Sequence, residues 1–150
     1  MFYIGIDPGA KGGIAVLNDE MCLAYPYSNK ALKVVCETYA GESVVTVEYV
    51  HAMPGQGVSS TFTFGRNYGY ILGVLEAFEI PYQTADAKTW KKYFRVSADK
   101  QTSIAKCKEL YPGIKLKPTS RCRKESDGMA EAVLIGLYGK EKLWEEEGEK

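Results

Sequence analysis

The sequence predicts an α/β fold, a mixed five-stranded sheet flanked by helices. Three apolar runs of strand character come first and are joined by short turns, as in an antiparallel meander. Segments of helical and of strand character then alternate towards the C-terminus. At 150 residues, 45% apolar and 25% charged, the chain fits one compact domain over residues 1–150.

Phe2–Ile6 reads as a buried strand, and Asp7-Pro8-Gly9 turns the chain sharply after it. Gly13–Leu17 is the second strand, with Asn18-Asp19 as the turn into a third over Met21–Tyr25. Ala31–Tyr39 places Leu32, Val35, Cys36 and Tyr39 at helical spacing and stops at Gly41. Val44–Val50 is dense in valine, as a central strand would be. Residues 51–57 form a loop.

The longest helix is expected from about Ser59 to Phe78, with Phe64, Tyr68, Ile71, Leu75 and Phe78 as its sheet-facing stripe. Gly65, Gly69, Gly73 and Ala77 form a second stripe of small residues on it. Glycine inside a helix costs about 1 kcal/mol relative to alanine, so close approach of another backbone is expected there, either the chain's own sheet or a partner helix. Tyr82–Thr84 is a short strand. Helices follow near Ala87–Tyr93 and Ala98–Leu110, the second with Ser97 as N-cap. Residues 112–125 are basic and expected to be a mobile loop. A last helix runs from Ser126 to about Tyr138, and the acidic tail from Lys140 is expected to fray.

No stretch approaches the roughly 18 apolar residues of a membrane span, and the N-terminus has no signal-peptide pattern, so a cytoplasmic setting is expected. Cys22, Cys36, Cys107 and Cys122 lie far apart without a CxxC pair, which favours reduced structural thiols over a zinc site. The net charge of zero hides an asymmetry. Residues 59–124 carry thirteen Lys/Arg against five Asp/Glu, net +8, between two acidic segments. A surface that follows a polyanion would explain this, and so would unrelated solvated faces that share a sign.

Four carboxylates occupy unusual places. Asp7 ends an apolar strand, and Glu48 follows Val44-Val45-Thr46-Val47 inside the expected sheet. Buried carboxylates need a partner because desolvating the charge is costly. Asp127 and Glu131 are four apart at the start of an otherwise apolar helix, and so share one face. Singly, each has an ordinary reading: a turn-former, an edge-strand residue, acids that favour a helix dipole. Together they would supply the oxygen ligands that Mg²⁺ or Mn²⁺ prefers, and two such metals about 3.5–4 Å apart promote phosphodiester cleavage.

These residues stand in motifs that resemble the RuvC-type Holliday junction resolvases of the RNase H-like superfamily. Gly5-Ile6-Asp7-Pro8-Gly9 with Gly13-Ile14-Ala15 is similar to the family's opening, and Val47-Glu48 before the Gly65…Gly69…Gly73 helix is similar to its second motif. Trp90-Lys91 and Ala98-Asp99-Lys100 match its two lysine positions, and Asp127-Gly128-Met129-Ala130-Glu131-Ala132 looks like its terminal acidic helix. The resemblance covers residues 2–138 in order. It implies an RNase H-like fold, a two-metal Mg²⁺ site in which Mn²⁺ substitutes, and endonucleolytic resolution of four-way or otherwise branched DNA by a homodimer, in a bacterium or a phage. Asp7, Glu48, Asp127 and Glu131 carry over as metal ligands, and Lys91 and Lys100 as catalytic contacts to the scissile strand. The terminal motif departs from the pattern. The family's acids are usually three apart and end in Asp, whereas here they are four apart and end in Glu131, so which of the two meets metal directly stays open.

Lys92, Arg95, Lys115, Lys117, Arg121, Arg123 and Lys124 would form a wider surface tracking the DNA backbone. His51, Phe62 and Phe64 lie just past Glu48; wedging between bases and packing in the core are the two readings, with core packing favoured for Phe64. Two other functions fit the same acids: a nuclease for structured RNA, and a branched-DNA-binding module whose site has decayed. An actin-like ATPase also opens with Asp and glycines, but it needs a second domain that 150 residues do not provide.

Overall fold

A computed structural model describes residues 1–145. The strands are β1 (Phe2–Asp7), β2 (Gly13–Leu17), β3 (Cys22–Pro26), β4 (Ser43–Glu48) and β5 (Tyr82–Ala85). They form one sheet in the order β3-β2-β1-β4-β5. The β1–β2 and β2–β3 pairs are antiparallel, and the β1–β4 and β4–β5 pairs are parallel. The mixed five-stranded sheet is therefore as the sequence predicts.

Period-two alternation sorts the strands between two faces. Ile4, Ile6, Ile14, Val16, Val45 and Val47 pack on one side. They meet Leu32, Val35 and Cys36 of α1 (Asn29–Tyr39) and Ile71 and Leu75 of α2 (Val58–Ala77). The other side is covered by α3 (Ala87–Phe94), α4 (Lys100–Leu110) and α5 (Asp127–Tyr138).

The placement of α5 decides the rest. A Cβ on Gly5 would stand 2.0 Å from the Ala132 carbonyl oxygen, and one on Gly13 would stand 2.5 Å from that of Gly128. In the helix, a Cβ on Gly128 would stand 2.0 Å from the Lys11 carbonyl oxygen. Glycines on both partners thus let α5 lie with its backbone against β1 and β2, and no side chain fits between. Ser126 caps the helix by accepting from Met129 N–H.

Several expectations need correction. Asp99, not Ser97, caps α4, accepting from Gln101 N–H; Ser97 instead accepts from Asp99 N–H, so Lys100 becomes the first helical residue. Residues 112–125 are anchored: Leu116 is buried, Ser126 N–H donates to its carbonyl at 2.7 Å, and Glu125 pairs with Lys108 at 3.0 Å. The chain does not fray at Lys140. Gly139–Trp144 continues α5 as a π-helical stretch, Lys140 pairs with Asp19 and Glu145 at 2.9 Å each, and Trp144 donates to Thr46. The tail beyond Glu145 lies outside the described residues.

The small-residue stripe does not face the sheet. A Cβ on Gly65, Gly69 or Gly73 meets nothing within 4 Å, which removes self-packing as its explanation. All four cysteines are free. Among the described residues, no helix is long and apolar enough to cross a membrane.

Candidate active site

The parallel register pairs Ile6 with Val47. Asp7 and Glu48 are the next residues on neighbouring strands, so both stand at the carboxyl edge of β1 and β4. In open α/β sheets this is where the strands leave a crevice for ligands. Alternation turns both towards the face that α5 covers. Because α5 rests on Gly5 and Gly13, its first turn and a half lies beside the same edge, and Asp127 and Glu131 arrive there together.

An open cleft of about 470 Å³ results, lined among others by Asp7, Gly9, Lys11, Phe64, Lys91, Lys100, Asp127 and Glu131. Glu48 is not in its lining; it stands beside Asp7 and acts on it electrostatically. Asp7 is hydrogen-bonded to Glu131, and its carboxyl is pushed up to about 9 by burial, then by the charges of Glu48, Glu131 and Asp127. Burial also raises Glu131, against the pull of Lys91, whose Nζ lies 3.9 Å from Oε1. Glu48 is raised by burial and by Glu131, and held down by the Trp90 indole, which donates to Oε2 at 2.8 Å. Asp127 is the outer acid, with Lys100 Nζ 3.6 Å from Oδ2.

The structure brings Asp7, Glu48, Asp127 and Glu131 together at one sheet edge, with Lys91 and Lys100 against two of them. Glu131 is the inner acid of the helical pair, which the spacing left open. Phe64 is a correction. It is 37% exposed and lines the cleft, because α2 begins to lift away from the sheet before Tyr68. Phe62 is 69% exposed, and His51 stacks on Tyr49 with ring centroids 5.6 Å apart. Lys92, Arg95, Lys115, Lys117, Arg121, Arg123 and Lys124 are all exposed. Arg123 and Lys124 line a second cleft of about 650 Å³ that shares Lys11 and Asp127 with the first.

Two residues escaped the sequence reading. Trp90 figured only as a neighbour of Lys91. Ser103 is fully buried, and its hydroxyl donates to Glu131 Oε1 at 3.4 Å. Its signal was the four-residue spacing to Cys107, which places a hydroxyl on the apolar face of α4.

Among the described residues, no three Asp, Glu, His or Cys side chains form a ready-made metal cage. Lys91 and Lys100 sit against Glu131 and Asp127 instead. The donor set nevertheless fits a hard divalent cation. It is all carboxylate oxygen, its members raise one another's proton affinity, and Lys100, largely solvent-exposed, is free to move aside.

No protein-family model and no curated protein sequence matches the chain. Solved structures do. A structure of Thermus thermophilus RuvC in complex with a Holliday junction substrate is 17% identical, with a TM-score of 0.63 over 95% of this chain and 96% of that one. A Thermus thermophilus RuvC structure is 18% identical, with a TM-score of 0.59 over 94% and 96%. The chain has the RNase H-like α/β fold of the RuvC structures, spanning nearly their whole length.

Proposed function

We propose that this chain is a metal-dependent endonuclease that cuts branched DNA, resolving four-way junctions by paired nicks. The observation that carries the reading is the meeting of Asp7, Glu48, Asp127 and Glu131, from three remote segments, at one sheet edge beside Lys91 and Lys100. The fold is shared with a protein solved on a Holliday junction, which supports DNA as substrate.

Asp7, Glu48 and Glu131 would hold Mg²⁺ or Mn²⁺ at the inner site, with Asp127 at its mouth. Bound there, divalent cations lower the proton affinity of water and stabilise the leaving oxygen. Lys91 and Lys100 move from their carboxylates onto the phosphate flanking the cut and neutralise it. The exposed cations of residues 115–124 hold the backbone beyond it. A homodimer would place two such sites about a dyad, matching the near two-fold symmetry of a junction. The open glycine stripe of α2 supports a helix of a second copy as its partner.

The test is incubation with a mobile four-way junction and Mg²⁺, with nicks mapped on all four strands and a structured RNA of equal charge alongside. Symmetric nicks in opposed DNA strands are expected. Cutting of the RNA alone would assign the site to RNA. Binding without cutting in Mg²⁺ or Mn²⁺ would leave a recognition module.

A further inference from the structure

We propose that Trp90 is a positioning residue for Glu48, and through it for the divalent cation of the acidic cluster; the assignment rests on the metal reading above. Trp90 is fully buried among Ala85, Phe94, Leu134 and Ile135. That position asks only for bulk, which an all-carbon side chain would supply. An indole also brings an N–H, and a buried N–H needs an acceptor. The acceptor here is Oε2 of Glu48, at 2.8 Å and 42 residues away in sequence.

The geometry gives this bond a direction. Glu48 sits at the end of β4 with two equivalent oxygens. The indole engages one of them and leaves the other for the side of Glu48 on which the charges of Glu131 and Lys91 act. Trp90 has only two side-chain torsions and is clamped by the core, so it restrains the carboxylate more firmly than a flexible donor would. The next residue on the same short helix, Lys91, reaches Glu131. One turn of α3 therefore orients one acid and places the counter-charge of another. Outer partners of this kind fix ligand orientation, and their removal typically costs about 10–100-fold in metal affinity.

The experiment replaces Trp90 with 3-benzothienylalanine, which keeps the bicyclic shape with sulfur in place of N–H. A Trp144→Phe background confines the replacement to one site. Mn²⁺ binding to the DNA-free protein is measured by calorimetry, and Trp90→Phe is the second variant. Both should unfold cooperatively and bind Mn²⁺ about 10–100-fold more weakly, with KM for junction DNA nearly unchanged and kcat reduced. In the background protein itself, Trp90 fluorescence should be quenched saturably by Mn²⁺ at the calorimetric affinity, and Glu48→Gln should abolish that quenching. A sulfur isostere that binds Mn²⁺ as tightly as the background, or an absence of saturable quenching despite tight binding, overturns the assignment and leaves the metal site standing. A background protein that binds no Mn²⁺ overturns the metal reading, and this assignment with it.

Discussion

Asp7 and Glu131 are hydrogen-bonded carboxyl to carboxyl at the carboxyl edge of β1. Two carboxyls bond in this way only if one of them keeps a proton. Without a cation, then, the site lowers its own charge with that proton and with Lys91 and Lys100. A divalent cation bound there would do the same task, and in binding would displace that proton.

The first prediction follows from that exchange. Asp7 is raised from its ordinary value near 4 to about 9, so across that window the folded chain keeps a proton that the unfolded chain gives up. Stability of the metal-free protein from this group therefore falls as pH rises from about 4 towards 9. In EDTA, Asp7→Asn should be more stable than wild type at pH 8.5, on the order of 1–3 kcal/mol, and the gap should shrink at pH 5. Urea unfolding at the two pH values reads this directly. A gap independent of pH would show that Asp7 is ionised throughout.

The outline of this site was legible in the sequence, and its assembly was not. Asp7 and Glu48 stand out because each interrupts or ends an apolar strand, and period two then assigns them to one face. The crossing of α5 over the sheet was hidden because its signal is an absence of side chains, Gly5 and Gly13 against Gly128 and Gly136. Those glycines sit in short apolar runs where nothing in the pattern marks a close approach. The glycines that did draw notice, on α2, face open space. Phe64 was misplaced because helical spacing fixes a face and not the point where the helix leaves the core. The Trp90–Glu48 bond joins two residues that looked sufficient as an aromatic core residue and an acid.

Metal identity gives the second prediction. Mn²⁺ should support both junction binding and cleavage, whereas Ca²⁺ should support binding alone. Ca²⁺ takes more ligands at longer distances and so spoils a close two-metal geometry. Gel shifts and nicking assays on one junction separate the two effects. Efficient cutting in Ca²⁺ would count against a two-metal mechanism.

The basic loop gives the third. Neutralising Arg121, Arg123 and Lys124 should weaken junction binding and flatten the salt dependence of affinity by about one unit for each phosphate no longer neutralised. Leu116 and the Glu125–Lys108 pair hold the loop in place, so these exposed changes should leave the melting temperature nearly unchanged. An unaltered salt slope would show that the loop does not touch DNA.

The open stripe on α2 gives the fourth. A Cβ added at Gly69 or Gly73 meets nothing within 4 Å, so the variant with leucine at both positions should fold about as stably as wild type. It should sediment as a monomer, bind junctions weakly and make unpaired nicks, where wild type should sediment as a dimer at micromolar concentration. A wild-type monomer, with and without junction DNA, would rule out the dimer.

The most direct measurement is the rate at which Asp7→Asn nicks a mobile four-way junction in Mg²⁺, set against wild type at equal bound fraction. Removing the innermost carboxylate should slow nicking by about 10³-fold or more. Junction binding should stay intact, since the exposed cations that would follow the DNA backbone are unchanged. If Asp7→Asn nicks at close to the wild-type rate, the acidic cluster does not hold the catalytic metal and the account fails.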